Sequence, residues 1–184
     1  MSALRRRRPE AAAADALPAT GGPTHPAPEP GEDGRVALPF ALIAERLRAL
    51  LVERNDLSRV DAVVAVARGG VVAGALVAYH LRVPLHVVRL QYRDDTNVPL
   101  AASPTLLGDV PDVGGLHVLV VDDVSVSGAT LRAICAALDA AGSTTLVLKG
   151  RPGAADLVVF DDVPSCVRWP WGPVSGESEA VSSG

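Results

Sequence analysis

Two adjacent carboxylates, Asp122 and Asp123, close a short apolar run at residues 118–121 and precede Ser125-Val126-Ser127-Gly128-Ala129-Thr130, a small, hydroxyl-rich stretch. The run has the length and β-branched content of a fully buried parallel strand. A helical pattern at residues 131–141 follows the small-residue stretch directly. Strand, acidic pair, small-residue loop and helix N-terminus together make an anion site with a metal or diol contact beside it. Loop amides and the positive end of a helix favour phosphate, and the Ser127 and Thr130 hydroxyls add donors. The carboxylates suit sugar hydroxyls or a hydrated Mg2+.

A second anion element is Arg68-Gly69-Gly70, between a strand pattern at residues 61–67 (DAVVAVA) and a helical one at 70–81. Two glycines let backbone amides approach a ligand closely, and Arg68 brings a fixed charge suited to a pyrophosphate. Gly-Gly before a helix is also an ordinary α/β turn, so its weight comes from the acidic motif. Lys149 is the single lysine beside sixteen arginines and ends a strand pattern at 144–148. Where composition favours arginine so heavily, a lysine points to a need for a compact point charge; a solvated strand-end lysine is the plain alternative.

The elements that must position these groups alternate along the chain. Residues 38–53 form an amphipathic helix, with Phe40, Ile43, Leu47, Leu50 and Leu51 inward and Glu45, Arg46, Arg48 and Glu53 outward. Strands at 61–67, 84–90, 118–121, 144–148 and 157–160 alternate with helices at 70–81 and 131–141, and a turn falls at 150–153. Such alternation predicts an α/β domain with a parallel sheet covered on both faces and ligands at the carboxyl ends of its strands. Residues 91–116 are long, polar and aperiodic, as a lid or site element would be. Tyr92, Arg93, Asp94 and Asp95 open this loop, suited to closing over a pyrophosphate or simply to solvation.

Domain organisation follows from composition. Residues 1–35 hold Arg5–Arg8, an alanine run and Pro/Gly-rich text, which predicts a disordered tail. Residues 36–172 form the one folded domain and 173–184 a second flexible tail. Five arginines balance five acids in the first 35 residues, so the formal net charge of −4 belongs to the remainder. That balance argues against nucleic-acid binding, which calls for a basic face. No apolar run of membrane-spanning length occurs, and no apolar stretch follows the early arginines as a signal peptide requires. Cys135 and Cys166 lack metal-ligand spacing, and the expected setting is a reducing cytoplasm. A receiver domain also starts with a strand ending in two acids, but it needs a later acceptor Asp, Ser/Thr and Lys on successive strands. Only 61 residues follow Asp123, and the one lysine comes too early.

As VLVV-DD-VS-VS-G-A-T, residues 118–130 resemble the phosphoribosyl pyrophosphate (PRPP) signature of the type I phosphoribosyltransferases, with Ser125 where an aliphatic residue is usual. The segment VAVARGGVVAGALVAYHL is similar to that family's pyrophosphate loop, often entered through a cis peptide. Lys149-Gly-Arg-Pro, then VVFDD and VRWPWG, resembles the closing segment of xanthine–guanine and archaeal-type hypoxanthine enzymes. There the chain forms a small hood over the base. The resemblance implies a type I phosphoribosyltransferase core with a flexible loop and a C-terminal hood, acting as a dimer or tetramer. It implies PRPP and Mg2+ as ligands, with a nucleobase of the purine class accepting the phosphoribosyl group. Asp122, Asp123 and Arg68 would be catalytic, with Asp122 and Asp123 also at the metal. PRPP would be bound by Arg68, Gly69, Gly70, Asp122, Asp123, Ser125, Val126, Ser127, Gly128, Ala129 and Thr130. Lys149, Cys166 and Trp169 would line the base.

Three departures fall in the base pocket. Val126 stands where 6-oxopurine enzymes carry an acid for the N7 proton, Cys166 where an aromatic stacks on the base, and Gly172 where an acid closes the pocket. They leave open a noncatalytic PRPP- or nucleotide-sensing domain of the same fold.

Overall fold

The computed structural model describes residues 28–91, 105–163 and 166–172. The expectations for most of the N-terminal tail, for Tyr92–Asp95 and for the C-terminal tail lie outside the described residues.

A two-residue strand β1 (Val36–Ala37) leads through Pro39 into α1 (Phe40–Glu53), and a 3-10 turn (Asn55–Arg59) delivers the chain to β2 (Ala62–Ala67). Then come α2 (Gly70–Leu81), β3 (Leu85–Gln91), β4 (Thr105–Leu107), β5 (His117–Ser125), α3 (Ala129–Ala137), β6 (Gly142–Gly150), β7 (Leu157–Val158) and β8 (Val167–Arg168). The six-stranded sheet runs β4-β3-β2-β5-β6-β7, and β1 pairs separately with β8.

Every neighbouring pair in the sheet is parallel except β3–β4. This corrects the expectation of an aperiodic segment over 91–116. Its Thr105–Leu107 part is an antiparallel edge strand, in register Arg89↔Leu107 and Leu90↔Leu106. Three residues are too few to show a period of two, so sequence pattern alone passes over them.

Continuous apolar runs in β2 and β5 reflect burial on both faces. Val63, Leu119, Val121, Leu146 and Leu148 pack with α1 and α2 on one side. Val64, Val66, Val118, Val120 and Val147 pack with Leu131 and Ile134 of α3 on the other. Gly74 of α2 rests directly on Ala65, close enough that a side chain there would strike it. That fit lets α2 lie flat over β2.

Two details of the helices differ from expectation. The third helix ends at Ala137 rather than 141, because Leu138 turns to extended backbone and Ala141 N–H bonds to Leu116 O (2.8 Å) on entering β6. On α1, Phe40 is 47% exposed while Arg46, expected outward, is buried at 7%. Leu42, Ile43, Arg46 and Leu47 fall on one helical stripe, and the Arg46 head has partners inside the protein.

Candidate functional site

Along the chain, β2 leads by α2 to β3 on one side of it, whereas β5 leads by α3 to β6 on its other side. The order therefore reverses between the adjacent parallel strands β2 and β5. In open α/β sheets the crevice outside the strand carboxyl ends at such a switch point is where ligands bind. Both anion elements of this chain lie there. Arg68-Gly69-Gly70 leaves β2 after a cis peptide between Ala67 and Arg68, and Asp122, Asp123 and the small-residue loop end β5.

The two elements touch. A Cβ built on Gly69 would fall onto the Asp123 carboxylate, and one on Gly70 would fall onto Val121 O and within 2.7 Å of Asp122 Cα. At Gly70 the obstacle is β5 backbone, so glycine is required for the α2 N-terminus to seat there; at Gly69 it is the Asp123 side chain, which a Cβ would push aside. Successive strand residues face opposite sides. Leu119 and Val121 pack towards α1 and α2, so Asp123 falls on that side, beside Gly69. Val118 and Val120 place Asp122 on the α3 side.

Asp122 is 8% exposed and its Oδ1 accepts the Asp123 N–H (2.9 Å), while Asp123 Oδ1 accepts the Val124 N–H (2.8 Å). Burial, then repulsion from Asp123, pushes the Asp122 carboxyl up to about 8. Burial also raises Asp123. Two crowded carboxylates with no ion-pair partner among the described residues call for an external cation or diol. Hard oxygen donors fit Mg2+, and this pair would hold it jointly with ligand oxygens and water. Among the described residues no three His, Cys, Asp or Glu side chains converge into a cage.

Beyond the acids, Gly128 takes φ 72° and caps α3. A Cβ there would lie 2.7 Å from Arg132 Nη1 and 2.8 Å from Ala154 O, so both conformation and space demand glycine. Ser125 is buried; its Oγ accepts the Gly128 N–H (3.2 Å), and its carbonyl accepts the Arg151 N–H (3.1 Å). It thereby shapes the loop from within. Ser127 Oγ accepts the Ala129 N–H (3.3 Å), and Val126 is 57% exposed. Ala129 and Thr130 form the first turn of α3.

Lys149 pairs with Val124 across β5–β6, on the same sheet edge as the acids. Its ammonium donates to the Val163 carbonyl. The chain beyond returns as β8 against β1, in register Val36↔Val167 and Ala37↔Arg168, and Arg168 Nη2 meets Asp33 Oδ2 at 2.5 Å. Trp169 and Trp171 stack with their planes 2° apart and ring centroids separated by 5.3 Å. Cys166 is exposed at the start of this segment. Sequence pattern does not report the Val163 carbonyl, and Arg46 reads as outward although it shares a helical stripe with Leu42 and Ile43.

The phosphoribosyl transferase domain model matches residues 40–177, and the chain belongs to that family. A purine phosphoribosyltransferase from Pyrococcus horikoshii superposes with a TM-score of 0.62 at 25% identity, over 76% of this chain and 97% of that one. The HGPRTase-like protein of Natronomonas pharaonis is 31% identical over 140 residues, 72% of this chain and 63% of the relative. The transcriptional regulator GfcR of Methanothrix thermoacetophila is 32% identical over 117 residues, 62% of this chain and 57% of the relative. The chain thus spans less than two thirds of the length of these two relatives. No helix among the described residues is long and apolar enough to cross a membrane.

Proposed function

We propose that this chain is a cytoplasmic phosphoribosyltransferase of base salvage: a ring nitrogen of a nucleobase attacks C1 of the ribose of PRPP, the new C–N bond forms, and pyrophosphate leaves. The observation that carries this reading is the meeting of Gly69 and Gly70 with Asp122 and Asp123 at the switch point. Arg68 and the amides of Gly69 and Gly70 receive the pyrophosphate. Residues Ser127, Gly128, Ala129 and Thr130 receive the 5′-phosphate, with Ser125 and Val126 shaping the loop's approach. Asp122 and Asp123 hold the ribose diol and share Mg2+, which when bound supplies positive charge beside the phosphates. Positioning and preorganised charge are the main catalytic contributions such a site makes.

The base is assigned to the space between Lys149 and the 166–172 hood, with Cys166 and Trp169 at its border. Likeness to a purine phosphoribosyltransferase and to an HGPRTase-like protein supports a purine, and Lys149 supports one with a 6-oxo group. The test is incubation with PRPP, Mg2+ and a panel of purine and pyrimidine bases, assayed for pyrophosphate release. Release dependent on one base supports the reading.

A second reading, a PRPP- or nucleotide-responsive regulator, is favoured by exposed Val126 in place of an acid and by likeness to GfcR. It predicts calorimetric binding of Mg-PRPP with no base-dependent release.

A further inference from the structure

Three polar or charged residues are buried among those described: Arg46, Asp122 and Ser125. The last two belong to the β5 loop, whereas Arg46 sits on α1, outside the site. Its guanidinium lies over the Phe160 ring, 4.9 Å from the centroid, and Nη1 donates to Asp162 Oδ1 at 2.6 Å. Phe160 is wholly buried, and its N–H bonds to Leu148 O (2.8 Å), the residue before Lys149. Val163, the residue after Asp162, is buried and offers its carbonyl to the Lys149 ammonium. One short stretch, residues 160–163, is therefore held by Arg46 at Phe160 and Asp162 and by Lys149 at Val163.

We infer that Arg46 is a positioning residue for base recognition: by clamping Phe160 and Asp162 it fixes the Val163 carbonyl, and through that carbonyl the place of the Lys149 ammonium. It touches no substrate, and the inference rests on the assignment of Lys149 to the base. A lysine ammonium ends a flexible four-carbon stem and carries three donors. With one donor spent on a fixed carbonyl, the other two point in set directions; with a drifting carbonyl they do not. Asp162 is 48% exposed, and an ion pair at such a place is loose by itself. The aromatic ring beneath the guanidinium and the burial of the arginine stem remove that looseness.

The experiment compares wild type with Arg46→Met, which keeps the stem, and with Asp162→Asn, a surface change that leaves the core intact. Both tryptophans of the chain, Trp169 and Trp171, lie in the hood, so tryptophan fluorescence reports the hood alone. Each variant is expected to raise KM for the base roughly 5- to 20-fold while calorimetric Kd for Mg-PRPP stays within about twofold. In a Lys149→Ala background Arg46→Met should add less than about twofold, because the two act as one unit. An unchanged base KM, a full additional effect without Lys149, or an equal loss of PRPP affinity overturns the inference. Should wild type turn over no base, the phosphoribosyl-transfer reading fails, and acrylamide quenching decides the clamp separately. Increased quenching in both variants supports it, and quenching equal to wild type overturns it.

Discussion

Burial of Asp122 beside Asp123 gives the ligand-free protein a pH dependence whose sign can be worked out. A carboxyl raised from its ordinary 3.8 to about 8 takes up a proton on folding. The Asp122 contribution to stability is then fullest below about pH 4 and is lost as pH rises through about 8. In thermal unfolding, Asp122→Asn should flatten that fall and raise Tm at pH 8, while weakening Mg-PRPP at least roughly tenfold, since an amide does not replace a carboxylate beside a cation. A variant that loses both stability and binding would refute this account of the pair. Lys149 supplies the complementary prediction for the base. Removing a charge-assisted hydrogen bond in Lys149→Ala should cost about 1.5–3 kcal/mol, roughly 10- to 150-fold in kcat/KM for a 6-oxopurine. An amino-purine would show little dependence. At this scale the placement of both loops at strand ends was legible, because an apolar run closed by acids or by glycines and followed by a helical pattern marks that turn. Arg46 was not, because an arginine reads as solvent-facing until its partners, more than a hundred residues away, are seen.

Between elements, what matters is how one loop accommodates another. Gly69 leaves room for the Asp123 carboxylate, a relation between β2 and β5 that neither motif states alone. Gly69→Ala should therefore displace that carboxylate, lowering PRPP affinity at least roughly tenfold by calorimetry with the helical circular dichroism preserved. Full affinity would mean the two loops do not act together. The longer strands and the existence of the three helices were legible from unbroken apolar runs and from the 3.6-residue spacing of Ile43 and Leu47, with two helix starts, at Phe40 and Ala129, each two residues from the expected place. The pairs β1–β8 and β3–β4 were not, since strands of two or three residues are defined by their neighbours. The third helix was read too long because Leu138 and Ala140 continue its apolar spacing after the backbone has turned.

For the molecule as a whole, stability is unevenly distributed. Strands β2 and β5 are buried on both faces, whereas the hood is held by a two-residue strand pair, an exposed Asp33–Arg168 contact and the half-buried Val167, Trp169 and Trp171 at the margin of the core. Native-state hydrogen exchange should show amides of Val167 and Arg168 opening at much lower free energy than those of Val64 and Val120. Equal protection would mean that hood and sheet unfold as one unit. The β1–β8 pairing also bears on how the protein is made. β1 precedes and its partner follows all the other described strands, so β1 waits unpaired until the whole sheet has been made. The residues of both loops have emerged once α3 is made, and the second loop is braced when Arg151 reaches the Ser125 carbonyl, still ahead of the hood. On the proposed reading, the groups meant for a sugar phosphate would be made before those meant for a base.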